Sequence, residues 1–394
     1  GDGPLLVSNI AQRHPLIDAF IDGAASLGVP CNDDFNGATQ EGAGYFQLTT
    51  WRGWRCSAAV AYLKPARGRP NLRIETNAHV AKILFDGRRA VGISYRRNGR
   101  DVQARCTREV LLSAGAIQSP QLLQLSGIGS AKLLAQHGIG VVHDLPGVGE
   151  NLQDHLQIRL TYECTRPITT NDELRSLMGR AKIGMQWLTS RQGPLAVGIN
   201  QAGCFMRALS DASTPDIQFH VATLSADMAG GAVHPFSGFT LSICQLRPES
   251  RGRVAITSAD PMQPPSMQPN YLTTELDRRT TVAGMRAARA IAQSAPMQPF
   301  VKREVNPGPH ADDDGALLEF ARNNGATIFH PSGTCKMGTD PLAVVDSQLR
   351  VHGIDCLRVI DCSIMPTLVS GNTNAPVIMI AEKAVDMIRE DARR

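Results

Sequence analysis

The chain has 394 residues and carries 40 Lys and Arg against 36 Asp and Glu, a formal charge of +4. At 42% hydrophobic and 19% charged it is no disordered polyelectrolyte, and its basic residues are too scattered for a nucleic-acid footprint. The length allows two or three domains with a sizeable core, and no apolar run approaches the ~20 residues of a membrane span. The 36 Gly and 24 Pro indicate many turns, not low complexity. The first residue is Gly, and nothing at that end resembles a signal peptide. The nine cysteines form no C-x-x-C pair and no metal-ligand spacing, so they predict reduced thiols in a cytoplasmic protein, without zinc and without a disulfide framework.

In chain order, Leu16, Ile17, Phe20, Ile21 and Ala24 fall at helical spacing, and Gly28-Val29-Pro30 ends that helix. A polar, Gly-rich loop over 32–44 follows, and Trp51, Trp54 and Tyr62 then cluster. Residues 71–76 alternate as a strand, and 80–85 and 90–96 read as two more around Asp86-Gly87, a hairpin signal. A short buried strand over 109–112 runs into Ser113-Ala-Gly-Ala116, with a helix over 119–125. The long middle, 156–325, combines Gly- and Pro-rich loops with a helix near Met185–Leu188, alternating strands over 238–246 and 252–258, and a helix over 274–294. This is the composition of an antiparallel sheet with helices on one side. Residues 357–360 form a short apolar strand. Asn374 is placed to cap the last helix and Pro376 sits in its first turn, with Val377, Ile380, Ala381, Ala384 and Ile388 on one face.

A dinucleotide fingerprint needs G-x-G-x-x-G between strand and helix. Gly127-Ile-Gly129 and Gly147-Val-Gly149 come nearest but carry Lys132 and Leu152 at the sixth position, so both read as ordinary turns. Other segments are far more specific: the run from Gly115 through Gln118-Ser-Pro-Gln121 to Ser126-Gly-Ile-Gly129, Phe329-His-Pro-Ser-Gly-Thr-Cys-Lys-Met-Gly338, Arg358-Val-Ile-Asp-Cys-Ser-Ile-Met-Pro366 and Ser370-Gly-Asn-Thr-Asn-Ala-Pro376. Together they resemble the glucose–methanol–choline (GMC) flavoprotein oxidoreductases over nearly the whole chain. With Gln245-Leu-Arg-Pro-Glu-Ser-Arg-Gly252, the wording is nearest the choline dehydrogenase-like branch.

The resemblance implies FAD as cofactor and oxidation of a primary alcohol to an aldehyde, with hydride passing to flavin N5. The family's base matches His330, and neutral imidazole suits that work near pH 7. The hydrogen-bond partner matches Asn372, whose amide can donate to a developing alkoxide without competing for its proton. By the same matching, Asn374 and Ala375 head the helix that faces the flavin pyrimidine, where the dipole favours negative charge. Asp361 and Cys362 fall near the ribityl–pyrophosphate, Val80 at the adenine, and Ser113, Ala114 and Gly115 at a tight turn beside the cofactor. His155 and His234 are also family-like, though each reads more readily as a hydrogen-bonded structural histidine. Trp51, Trp54, Phe219, Phe236 and Phe239 are the aromatics available to cage a quaternary ammonium.

The expected fold class is α/β with α+β: an incomplete FAD-binding Rossmann-type domain and a six-stranded antiparallel substrate sheet. The segments expected are 1–66 on the substrate side, 67–150 in the FAD domain, 151–326 for substrate and 327–394 as the C-terminal FAD part with the catalytic loop. The family's opening nucleotide-binding unit is not found, so roughly 130–150 residues, about one mononucleotide-binding half, are expected to be missing. The electron acceptor is a quinone or O2, which leaves dehydrogenase against oxidase open. The rivals are a hydroxynitrile lyase and a cofactor-free fragment. No nucleic-acid partner and no transmembrane segment are expected, and association with a membrane surface is left open.

Overall fold

Alternation of apolar and polar residues builds the largest sheet of the molecule. The structure, a computed structural model of the chain, describes residues 3–227 and 230–393. It divides into two compact units, the first made of Gly1–Leu72, Leu156–Leu246 and Glu275–Ala326. The second contains Arg73–His155, Arg247–Thr274 and Thr327–Arg394. Residues 247–274, read from sequence as part of the substrate segment, thus belong with the second unit, and the first 66 residues belong with the large sheet.

That sheet runs in the order Gly42–Tyr45, Asn200–Met206, Ile217–Ala222, Gly238–Gln245, Leu156–Cys164, Val301–Asn306, each neighbour antiparallel. The expected six strands are present, and a two-residue strand, Ala326–Thr327, pairs with Leu156–Cys164 off this path as a seventh. Ile217, Phe219 and Val221 share one face with Phe239, Leu241 and Ile243, while Gln218, His220, Thr240 and Ser242 occupy the other; both faces are buried.

The helix Glu275–Ala292 lies on the apolar face, close enough at Gly284 that a Cβ would sit 3.3 Å from both Ile217 and Ile243. The helix Pro15–Ser26 buries Leu16, Ile17, Phe20 and Ala24, with the Phe20 ring 5.9 Å from Phe219. Burying each such side chain contributes about 1.5–3 kcal/mol. His14 caps this helix, its Nδ1 accepting from the Leu16 N–H, and Gly28 at φ +87 ends it.

The second unit carries an antiparallel meander, His79–Asp86, Arg89–Arg97 and Arg100–Arg105, turned by Gly87 and Gly99 at φ +58 and +74. The predicted hairpin is therefore present. The predicted strand over 71–76 is not: these residues are almost all exposed, and alternation without a partner strand makes no sheet. Val110–Leu112 and Leu357–Val359 form a parallel pair. Their core includes Ile83, Leu112, Leu123, Val344, Val345, Leu357 and Val359.

Two helix starts differ from expectation. The helix anticipated over 119–125 begins at Gly115, carrying Pro120 inside its first turns. Asn374 is the first residue of the helix Asn374–Asp391 and not its cap; Thr373 holds that place without a side-chain capping bond. Residues 374 and 373 compete because Thr and Asn are both good caps and only the local φ, ψ chooses between them.

Candidate active site

The parallel pair sets the geometry. Val110 lies opposite Leu357, Leu111 opposite Arg358 and Leu112 opposite Val359, so both strands end at one edge. The Ile360 N–H donates to the Leu112 carbonyl at 2.8 Å, which brings Ser113–Gly115 beside Asp361 and Cys362. Asp361 fixes the turn. Its Oδ2 accepts from the Gly115 N–H at 2.9 Å and the Ser119 hydroxyl at 2.6 Å, while Oδ1 accepts from the Ser363 N–H at 2.8 Å. The Asp361 side chain is thus occupied by the protein, and what this turn presents outward is backbone. Ser113 and Ala114 are exposed, and Gly115 stands at φ +84 with open space where a Cβ would be. Cys362 is half-buried, and burial raises its thiol pKa. Val80 is the second residue of its strand, paired with Tyr95.

His330 is buried, at 8% exposure, and follows Phe329, a non-glycine residue at φ +65 whose ring is 72% exposed. Its main-chain N–H donates to Asp154 Oδ1 at 2.9 Å, and Asp154 Oδ2 accepts from the Tyr271 hydroxyl at 2.5 Å. Burial pushes Asp154 above the usual carboxylate range, opposed by bonds from Thr327, Tyr271 and the N–H groups of His330 and His155. Burial also pushes Tyr271 well up, so the phenol remains the donor.

The His330 ring meets two partners. Nδ1 lies 3.0 Å from Nδ1 of fully buried His155, the rings edge to face, and Nε2 lies 3.5 Å from Asn372 Nδ2. Of the two facing Nδ1 atoms one donates and the other accepts; where His330 is the donor, its Nε2 is left as the accepting nitrogen toward Asn372. Burial lowers the His330 pKa to about 4, so the imidazole is neutral near pH 7.

Of the residues singled out from sequence, His330 and Asn372 come together, as do Ser113, Ala114 and Gly115 with Asp361 and Cys362. Asn374 and Ala375 are exposed at the start of their helix. His155, read as a hydrogen-bonded structural histidine, is fully buried with its Nδ1 3.0 Å from that of His330. Asp154 and Tyr271 were missed altogether; the run Asn151-Leu-Gln-Asp-His155 was visible, but nothing local ties Tyr271 to it. His234 bonds to Ser225 and Asp227 and stacks on Phe236, apart from His330 in sequence and in unit. No aromatic cage forms among the expected five: Phe219 and Phe239 are buried in the sheet, Phe236 stacks on His234, and Trp54 packs on Trp187.

Comparison with known proteins decides the family. The sequence matches GMC oxidoreductase over residues 2–157 and again over 248–381. The chain belongs to the GMC oxidoreductase family. This GMC oxidoreductase is 43% identical over 391 residues to Alcohol dehydrogenase [acceptor] of Pseudomonas putida, covering 98% of this chain and 70% of that one. It is 44% identical over 390 residues to Choline dehydrogenase, mitochondrial, of Homo sapiens, covering 98% and 66%. The solved pyridoxine 4-oxidase from Mesorbium loti superposes with a TM-score of 0.86 at 30% identity, covering 99% of this chain and 72% of that one. The family match begins at residue 2 and gives no support to the expected absence of a leading segment.

Proposed function

We propose that this GMC oxidoreductase oxidises a primary alcohol to the aldehyde, with FAD as hydride acceptor, His330 as base and Asn372 as its hydrogen-bond partner. The observation that carries the reading is His330, its pKa lowered by burial, with Nε2 facing the Asn372 amide at 3.5 Å, the nitrogen that accepts when Nδ1 carries the hydrogen. That separation is long for a hydrogen bond between the two, yet both atoms can lie about 2.8 Å from one hydroxyl oxygen placed beside them.

The residues fit a flavin dinucleotide. Gly115 leaves open space at the carboxyl ends of two parallel strands, where α/β folds bind nucleotides. The helix Asn374–Asp391 starts without a side-chain cap, which leaves its first N–H groups to meet an anionic or carbonyl acceptor, whereas the Gly115 N–H of the helix Gly115–Leu125 is already taken by Asp361. Bound there, FAD supplies the two-electron sink for the hydride that leaves the alcohol carbon.

His330 Nε2 takes the hydroxyl proton, and the positive charge that results is shared through Nδ1–H with His155. Asn372 donates to the substrate oxygen as negative charge develops on it. Asp154, held by Tyr271, grips the main chain of His330 and keeps the ring at that position.

The test is spectroscopic. The FAD-loaded protein, mixed anaerobically with a primary alcohol, is expected to lose its visible flavin band. His330→Ala should retain the band and lose bleaching by about 10²–10⁴-fold. Bleaching at the full rate in that variant would refute His330 as base, and absence of bleaching by any primary alcohol in the unaltered protein would refute the reaction. Oxygen uptake in the same assay separates O2 from a quinone as acceptor.

A further inference from the structure

The helix Leu177–Ser190 in the first unit buries one side chain, Ile183. Its apolar stripe points outward: Leu177 and Met178 are 83% exposed, Met185 and Leu188 61%. At about 100° per residue these four share one sector of the helix with Ala181. Leu195 and Ile199, just beyond, are 58% and 64% exposed. A soluble helix normally turns such a stripe toward the core.

Two tryptophans lie on the flank of the helix that adjoins Ile183, beside the exposed stripe. Trp187 of the helix donates its Nε1–H to the Gly53 carbonyl at 3.0 Å and packs edge-on against Trp54 at 4.7 Å. The Arg191 guanidinium sits 4.1 Å from the Trp187 ring and 5.2 Å from that of Trp54, locking the helix to the short hairpin of strands Thr50–Trp51 and Trp54–Arg55. Trp51 and Trp54 remain 50% and 58% exposed.

The charge around this helix is predominantly basic, with Glu41, Asp172 and Glu173 as the neighbouring acids in sequence. Residues 42–72 hold five Lys or Arg and no Asp or Glu, and residues 174–210 hold another five and again no acid. Some are engaged, Lys182 with Glu173 and Arg175 with Asp172, but Arg52, Arg55 and Arg180 are exposed.

We infer that this face docks on an anionic lipid surface, with the helix lying in the plane of the interface. Exposed Leu and Met would enter the acyl boundary, the indoles would sit at headgroup level, and the Arg residues would meet lipid phosphate. Among the described residues no helix is long and apolar enough to cross a membrane, so the mode is interfacial. A second copy of the chain fits less well, because self-association would set the same basic residues against each other. The inference does not depend on the redox reading.

Cosedimentation of the full chain with vesicles tests it. The chain should pellet with phosphatidylcholine–phosphatidylglycerol vesicles, less with phosphatidylcholine alone, and less as salt rises. Arg55→Gln and Arg180→Gln should each weaken binding about fivefold. Leu177→Glu with Leu188→Glu should abolish it while leaving the circular dichroism unchanged, and Met178→Ser with Met185→Ser serves if that pair misfolds. Failure to pellet with the anionic vesicles, or undiminished pelleting of the folded variants, would overturn the inference. So would a dimer seen by light scattering that the same substitutions dissolve, without vesicle binding; that result would assign the face to a second copy.

Discussion

At the residue scale, His330 gathers the consequences. Its pKa, lowered by burial to about 4, lies below the ordinary 6.5, so the folded state binds fewer protons than the unfolded one between these values. Stability from neutral His330 is therefore full above pH 6.5 and falls as pH drops toward 4. In the proposed role as base, the same shift keeps His330 in its accepting form, and the acid limb of kcat/KM should have an apparent pKa near 4. A limb at 6.5 would mean that His330 is more solvated than the structure places it. His155 offers a second test, because its Nδ1 lies 3.0 Å from that of His330. His155→Leu removes the acceptor and should lower kcat about 10- to 100-fold with little change in KM, whereas His155→Asn, which retains an acceptor at that reach, should recover much of the rate. A change in melting temperature alone, with kcat intact, would reduce His155 to a packing residue.

At the scale of elements, the join between the two parallel strand ends depends on one carboxylate. Asp361 accepts from Gly115, Ser119 and Ser363 in a buried setting, and so connects the start of the helix Gly115–Leu125 to the turn after Leu357–Val359. Asp361→Ala leaves these donors without their acceptor and should cost roughly 3 kcal/mol, seen as a lower denaturant midpoint; Asp361→Asn, which keeps one carbonyl oxygen, should cost less. Equal midpoints for the Ala variant and the unaltered chain would show that water replaces the carboxylate. The strand of residues 357–359 and the hairpin at Gly87 were legible in the sequence, because apolar runs and turn residues act within a few positions. The supposed strand over 71–76 had the same alternation and no partner, which local pattern does not reveal.

At the scale of the whole molecule, none of the nine cysteines forms a disulfide, five of them are buried and only Cys31 is exposed. Burial pushes the thiol of Cys164 up to about 11 and raises those of Cys204 and Cys335 further, so these are poor nucleophiles. A thiol reagent should label about one cysteine promptly in the native chain and all nine after unfolding without reductant. Fewer than nine in the unfolded chain would reveal a disulfide. The arrangement of the chain is also a whole-molecule property: two units, each assembled from three separated stretches, which no shift in composition along the sequence announces.

The sequence by itself determined the family, the antiparallel sheet and the short motifs in which His330, Asn372, Asp361 and Gly115 stand, since each is carried by neighbouring residues or by a period of two or 3.6. Only the tertiary structure decided that His155, 175 residues away, meets the His330 ring, that Asp361 reaches back 246 residues to Gly115, and that Tyr271 holds Asp154 across 117. The reason is physical. Turn chemistry and periodicity are local, whereas these contacts follow from parallel register and from burial, which requires each enclosed polar atom to find a partner wherever the chain supplies one.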